Sequence, residues 1–190
     1  MISFIERVNK LKKAIEETEY VLIGGGACLS AAAGLEYSGA RFENNFKEFT
    51  DKYLFTDMYS ATSYPFETKE EKWAYFAKHI QFDRFDEPPT KLYKDIYTLI
   101  KKKDYFVITT NVDSHFEKAG FEKERIFEVQ GNYANLQCSK GCHKKIYYSE
   151  DLFTQMVKET KNCKIPTALI PKCPICGQSM VINLRLSCRR

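Results

Sequence analysis

Apolar residues recur every three to four positions near the start of the chain, at Phe4, Val8, Leu11 and Ile15, which predicts an amphipathic helix over 3–19. The apolar run YVLIG (20–24) predicts a short buried strand. A glycine turn follows it, and the small-residue run SAAAG (30–34) favours a helix packed closely against a sheet. Phe42, Phe46, Phe49 and Tyr53 predict another amphipathic helix over 42–56. Thr68 and Glu71 have capping-box spacing ahead of a helix holding Trp73, Ala77 and Ile80. Beyond Pro88 and Pro89, the residues Leu92, Ile96 and Leu99 mark a further helix. It ends in Lys101, Lys102 and Lys103, where cations suit the negative helix pole as a solvated end. YFVIT (105–109) and RIFEV (125–129) read as two more buried strands. Helices alternating with apolar strands predict an α/β fold, a parallel sheet with helices on both faces. From Cys138 the pattern breaks into short polar segments, with one helix over 149–159 started by Ser149.

Composition narrows the class. The 190 residues are 44% hydrophobic and include 14 Phe and 12 Tyr, enough for a sizeable core, which excludes global disorder. Lys and Arg number 29 against 25 Asp and Glu, a small excess that does not ask for nucleic acid. No apolar run spans a bilayer, since the longest, residues 21–35, is short and broken by glycine. The opening MISFIERVNK has acidic and polar residues where a signal peptide needs an apolar run. A cytoplasmic location without membrane or nucleic-acid partners is therefore expected. Seven cysteines, four in two close pairs, suit a metal in a reducing compartment better than disulfides.

Those pairs are the most specific signal. Cys138-x3-Cys142 and Cys173-x2-Cys176 lie thirty residues apart, and four thiolates at two close spacings form the ligand set of a structural Zn²⁺. Gly141 and Gly177 suit the tight turns around the metal, and His143, adjacent to Cys142, is expected to point elsewhere. Cys163 and Cys188 are left as spare thiols.

Two further segments carry candidate chemistry. GGGACLSAAAG (24–34) follows a strand and opens a helix, where free backbone N–H groups and positive potential favour a phosphate. It does not match G-x-G-x-x-G, and such turns also serve helix–sheet packing. Cys28 in the turn is either a reactive thiol or a small buried residue. TTNVD (109–113) stands at the end of a strand, where ligands bind in open α/β sheets. Asn111 and Asp113 there read either as ligand contacts or as an Asx turn and helix cap. Gln130 ends the third strand, where it can also satisfy loop backbone, and His115 reads as a helix-surface residue.

A glycine–alanine turn with Leu-Ser, then Ala-Gly, a Thr-Asn-x-Asp strand end, a strand ending before Gly131 and then four cysteines form an ordered set. This order, from about residue 20 to residue 180, resembles the sirtuins, NAD-dependent protein-modifying enzymes. AAAGLEYSGARF (31–42), DMYSA (57–61), VQGNY (129–133) and QCSKGCH (137–143) look like the macrodomain-linked bacterial branch, and Gln130 stands where deacetylases have His. The resemblance implies a Rossmann-like NAD-binding part over 1–134 and a zinc module over 135–180. It also implies a return to the first part over 181–190 that stops early, so the sheet is expected to be incomplete and the sequence truncated.

Carried onto this chain, the resemblance places Gly26, Ala27, Ser30 and Gly34 at the NAD phosphates and ribose, with Thr110 beside them. Asn111 orients the nicotinamide ribose, Asp113 binds the carboxamide, and Gln130 holds ribose hydroxyls. Tyr37, Arg41 and Phe42 belong to a loop over NAD. Cys28 replaces the second glycine of the usual Gly-Ala-Gly turn. The implied function is transfer of ADP-ribose to a protein acceptor, a lipoyl carrier protein, alongside a macrodomain hydrolase and a lipoate ligase. Gln130 does not titrate near neutral pH, which favours transfer over deacylation of acyl-lysine. The rival readings are an NAD-dependent lysine deacylase and an inactive zinc-stabilised binding module left by truncation.

Overall fold

The computed structural model describes residues 2–185; Cys188 and the last part of the expected 181–190 return lie outside them. The order is α1 (Phe4–Glu17), β1 (Tyr20–Gly25), α2 (Ala27–Ala32), α3 (Gly39–Asn45), α4 (Lys47–Tyr53), α5 (Met58–Thr62) and α6 (Lys69–Ile80). A π-helical turn, Gln81–Asp86, extends α6 and is followed by α7 (Lys91–Ile100), β2 (Asp104–Thr109), α8 (His115–Lys118) and β3 (Ile126–Glu128). Then come β4 (Gly131–Cys138), β5 (Tyr147–Tyr148), α9 (Glu150–Glu159) and β6 (Met180–Leu184).

Strands β1, β2 and β3 form a parallel sheet in that order, with Tyr20 opposite Asp104 and Gly25 opposite Thr109. The expected unbroken burial of these strands is replaced by alternation. Tyr105, Val107 and Thr109 point into a core with Tyr93 and Ile100 of α7 and Phe116, Ala119 and Phe121 around α8. Their neighbours face outward, and Leu22 is 68% and Phe127 56% exposed. The apolar stripe of α1 is also uncovered, with Phe4 at 71% and no residue of the helix buried. Periodicity shows that α1 has an apolar side; among the described residues only Ile15 of that stripe is partly covered, while Phe4, Val8 and Leu11 are exposed. The helix is nonetheless tied at both ends. Ser3 and Glu6 form a capping box, and Lys103 Nζ donates to the carbonyls of Glu16 and Thr18 at 2.8 Å. One residue of the lysine triplet is thus a cap on another helix and not only a solvated end.

The helix expected over 42–56 is two, α3 and α4, broken at Phe46 with φ −119°. The break lets Phe42, Phe46 and Phe49 all enter one aromatic core, where Phe42 stacks on Phe46 at 5.0 Å and Phe49 meets Tyr75 edge-on at 5.6 Å. This core continues through α6 and α9 into the second, antiparallel sheet, ordered β5-β4-β6, by way of Leu136, Cys138 and Met180.

A buried charge joins these helices. Thr68 caps α6 by accepting from the Glu71 amide, and the Glu71 carboxylate meets Lys52 Nζ at 3.0 Å and Lys164 Nζ at 3.6 Å. Burial alone would raise the Glu71 pKa, but the Lys52 hydrogen bond and the lysine charges outweigh it and bring the pKa from 4.5 to about 2. The folded value lies below the unfolded one, so the stabilisation is present above pH 4.5 and is lost as pH falls towards 2. Glu71→Gln is expected to lower stability at neutral pH, with the gap to wild type closing through that window. Urea titrations at a series of pH values check this; a gap independent of pH would contradict it.

Candidate active site and metal centre

Strand β1 ends at Gly25, where an added Cβ would lie 2.7 Å from the Phe116 ring. The chain can therefore turn closely past α8 into α2, with Gly26 as its N-cap residue. Thr110 N donates to Gly25 O at 3.0 Å and holds the ends of β1 and β2 level. Across that end the two expected motifs touch. Asn111 Nδ2 lies 2.9 Å from Ser30 Oγ, 3.2 Å from Gly26 O and 3.1 Å from Tyr93 Oη. Ser30 Oγ donates to Asp113 Oδ2 at 3.1 Å, and Tyr93 Oη lies 2.9 Å from Ser30 Oγ. All four side chains are buried. Because the serine proton goes to Asp113, the 2.9 Å contact is the tyrosine O–H donating to serine, and Asn111 donates to the tyrosine oxygen.

The two readings of Asp113 hold at different oxygens, since Oδ1 accepts from the His115 amide at 3.1 Å as an Asx turn does while Oδ2 receives Ser30. Burial raises the Tyr93 hydroxyl to about 12. Burial likewise raises Tyr37, helped by the charges of Asp113 and Asp83. The remaining expected residues are more open. Ala27 starts α2, Thr110 is exposed, and Gly34 lies past α2 at φ +87°. Cys28 is exposed, not a small buried residue. His115, expected on a helix surface, is 1% exposed; burial lowers its pKa, and its Nδ1 finds no partner. Phe42 is committed to the core, and Arg41 is held by Asp83 and Glu87 over the Phe82 ring.

Gln130 is not part of the cluster. Asn111 and Asp113 line a small cavity of about 150 Å³ with His115 and Glu128. Gln130 and Val112 instead line a cleft of about 560 Å³ between α6 and β6. Backbone Gln130 O accepts from Arg185 N at 2.8 Å, and Gly131 follows at φ +91°. Tyr93 was missed by the sequence reading, which placed the apolar stripe of α7 on Leu92, Ile96 and Leu99. A tyrosine one position along that stripe, next to the helix start, was the available signal.

The four paired cysteines converge. Their sulfurs lie within 4.8 Å of one another, with Cys138–Cys176 and Cys142–Cys173 both at 3.6 Å. Four bonds of ~2.3 Å from a tetrahedral Zn²⁺ would set sulfur–sulfur edges of about 3.8 Å. The donors and spacing therefore fit zinc, with no position left for substrate. Gly141 N donates to Cys138 O and Gly177 N to Cys173 O, both glycines at positive φ, closing two matching knuckles. The backbone N–H of Cys176 brings the Cys173 thiol down to about 6, while burial and the neighbouring thiols push Cys142 up. His143 is not in the ligand set. Its Nδ1 accepts from Lys145 N, so the neutral ring carries its proton on Nε2, 3.4 Å from Cys173 Sγ. It is an outer donor to a ligand sulfur.

The Sir2 family model matches residues 26–185. The chain belongs to the Sir2 family. A Staphylococcus aureus (strain Mu50) relative, named protein ADP-ribosyltransferase, is 38% identical over 180 residues, which are 95% of this chain and 57% of that one. A Fusarium oxysporum f. sp. cubense protein, named probable bifunctional ADP-ribose hydrolase/ADP-ribosyltransferase, is 31% identical over 90% of this chain and 30% of its own. This chain thus spans somewhat over half the length of the first relative and under a third of the second. Among Sir2 structures, a Sir2 homologue–NAD complex superposes with TM-score 0.62 at 23% identity, over 93% of this chain and 60% of that one. A mutant homologue with 2′-O-acetyl ADP ribose gives 0.63 at 22%, over 94% and 63%. These likenesses establish the sirtuin fold expected from the motifs. Among the described residues no helix is long and apolar enough to cross a membrane.

Proposed function

We propose that this chain is the NAD-dependent part of a protein ADP-ribosyltransferase. The observation that carries the reading is the buried Ser30–Tyr93–Asn111–Asp113 junction at the C-terminal ends of β1 and β2, the position where open α/β sheets take ligands. The names of the Staphylococcus and Fusarium relatives support transfer as the reaction. In this reading Gly26, Ala27, Ser30, Gly34 and Thr110 hold the phosphates and ribose, Asn111 and Asp113 hold the nicotinamide end, and Gln130 orients ribose hydroxyls. The bond between ribose C1′ and the nicotinamide nitrogen breaks, and nicotinamide leaves with its electron pair. A nucleophile of the acceptor forms the new bond to C1′ and gives up a proton to solvent. Gln130 hydrogen-bonds but moves no proton.

The working division is 1–134 for NAD, 135–180 for zinc, and 181–190 for the return to the first part. The acceptor is a lipoyl carrier protein and the operon partners are a lipoate ligase and a macrodomain hydrolase; the hydrolase is supported by the pairing of both activities in the name of the Fusarium relative. A cytoplasmic location agrees with four reduced thiols at the metal centre.

NAD labelled in its adenine ring, incubated with the chain and a lipoylated carrier, is expected to transfer label to protein. Gln130→Ala is expected to lose about 0.5–1.5 kcal/mol of transition-state stabilisation per lost hydrogen bond, a few-fold to roughly tenfold in rate. The rate should show no ionisation near pH 6–7 that belongs to this position, whereas Gln130→His should introduce one. Deacylation of an acyl-lysine peptide by the wild type, with no transfer, would replace this reading by the deacylase.

A further inference from the structure

A closed circuit of polar contacts surrounds residues 36–41, the stretch between α2 and the first turn of α3. Arg41 folds the stretch on itself, because its Nη1 donates to Glu36 O at 3.0 Å. Its Nη2 donates to Asp83 Oδ1 at 3.2 Å and to Glu87 Oε2 at 2.6 Å. Asp83 belongs to the π-helical turn after α6, and Glu87 follows that turn. The other Asp83 oxygen, Oδ2, lies 3.3 Å from His79 Nε2. His79 Nδ1 in turn lies 3.3 Å from Tyr75 Oη, which donates to Met58 O at 3.1 Å. Met58 N then donates to Tyr37 O at 2.9 Å. The path leaves the stretch at Arg41 and re-enters it at Tyr37.

The inner members Tyr75, His79 and Asp83 are all buried. Burial by itself would raise the Asp83 carboxyl, but His79 and Arg41 bring it below its ordinary value, so the anion persists inside the fold. A π-helical turn is a rare element, and this one buries two adjacent charges with different partners, Asp83 on Arg41 and Arg84 on Glu117 at 3.5 Å. The encircled stretch borders the ligand junction. Leu35 N, just before it, donates to Ser30 O at 3.0 Å. Tyr37 feels the charge of Asp113 in the junction and of Asp83 in the circuit, and its ring packs on Tyr59 of α5 at 5.2 Å.

We infer that Asp83 and His79 are positioning residues, which act through Arg41 and Met58 to hold residues 36–41, and with them Tyr37, beside the Ser30–Asp113 junction before any nucleotide arrives. This rests on the reading that NAD docks at that junction. The free chain then already has the arrangement that binding would otherwise have to select, so no affinity is lost to ordering the stretch. Neither Asp83 nor His79 touches the nucleotide in this scheme. A tie that served stability alone would leave NAD affinity unchanged when cut.

The test has one readout without NAD and one with it. Trypsin cuts after Arg41 only when the stretch leaves its place, so the rate of that cut, followed by mass spectrometry on the whole chain, reports how firmly it is held. Asp83→Asn and Glu87→Gln are each expected to speed the cut roughly tenfold. Glu87 is only half-buried, so its variant folds even if the Asp83 variant does not. NAD affinity by calorimetry is expected to fall roughly tenfold in both, as it does when the stretch is in place a tenth of the time. In the labelled transfer assay KM for NAD should rise by the same factor, with kcat within about twofold of wild type. Glu71→Gln lowers stability without touching the circuit and is expected to keep the wild-type cut and affinity. Rapid cleavage after Arg41 in wild type, wild-type cleavage or wild-type NAD affinity in both circuit variants, or an equal loss of affinity in Glu71→Gln would each overturn this inference and leave the transfer reading intact. A wild-type chain that resists the cut but binds no NAD removes the docking reading, and the role of Asp83 and His79 with it.

Discussion

Cys173→Ser is expected to purify without stoichiometric metal and without the cooperative packing of β4, β5 and β6. Cys138 closes β4, Cys173 and Cys176 stand just before β6, and all four sulfurs meet within 4.8 Å. The metal would therefore be the covalent-like tie between strands that hydrogen bonds alone hold at only a few positions, since β5 contributes two residues. Structural zinc contributes an apparent ~10–16 kcal/mol in small zinc peptides, as much as or more than the whole stability of a typical domain. Serine keeps the size of the side chain but not its affinity for zinc, so the loss reports on the ligand and not on packing. Elemental analysis for zinc and near-ultraviolet circular dichroism give the answer, and a strong chelator added to wild type should reproduce the variant. Full zinc content in Cys173→Ser would remove the four-cysteine assignment.

Gly131→Ala is expected to be the most damaging single methyl in the chain. The residue sits at φ +91°, and an added Cβ would stand 2.0 Å from the Asn183 carbonyl oxygen. The left-handed strain costs about 1–2 kcal/mol and the overlap about 1–3 kcal/mol more, so a loss of about 2–5 kcal/mol is expected. The overlap cannot be relieved by a side-chain rotation because the contacted atom is backbone. Relief requires β6 to move away, which breaks the Gly131–Leu184 pairing and the 2.7 Å bond from Asn183 Nδ2 to Gln137 Oε1. Gly34→Ala is the control. It shares a positive φ, +87°, but nothing lies within 4 Å of its added Cβ, so only the strain is paid. Urea unfolding of the two variants compares them directly, and equal losses would show that the β4–β6 contact is not the cause.

What could be read from the residues followed the range of each interaction. Zinc ligation depends on spacings of three and four residues, and Cys138, Cys142, Cys173 and Cys176 converge as that spacing implies. The glycine turn and TTNVD are each local to a strand end, and parallel pairing of β1 with β2 brings Ser30 against Asn111. Tyr93 joins them through three elements, so its role lies in how α7 is rotated, which a stripe of Leu92, Ile96 and Leu99 could not fix. His115 shows the same limit, because the ring that packs on it is Tyr93, at 5.4 Å and on another helix. The α1 stripe shows another, since amphipathicity names a sticky side without naming what meets it. Gln130 was grouped with Asn111 by family order, while the backbone turn at Val129–Gly131 directs it into the β6 cleft.

The junction at the strand ends also has a direction. Asn111 donates to Tyr93, Tyr93 to Ser30, and Ser30 to Asp113, so every hydrogen in the relay points the same way. Aligned O–H and N–H dipoles add, and each bond polarises the next. The carboxylate at the end anchors the alignment, because an anion only accepts. Under the proposed reading, NAD docking there would meet dipoles already oriented, which is the physical meaning of low reorganisation energy.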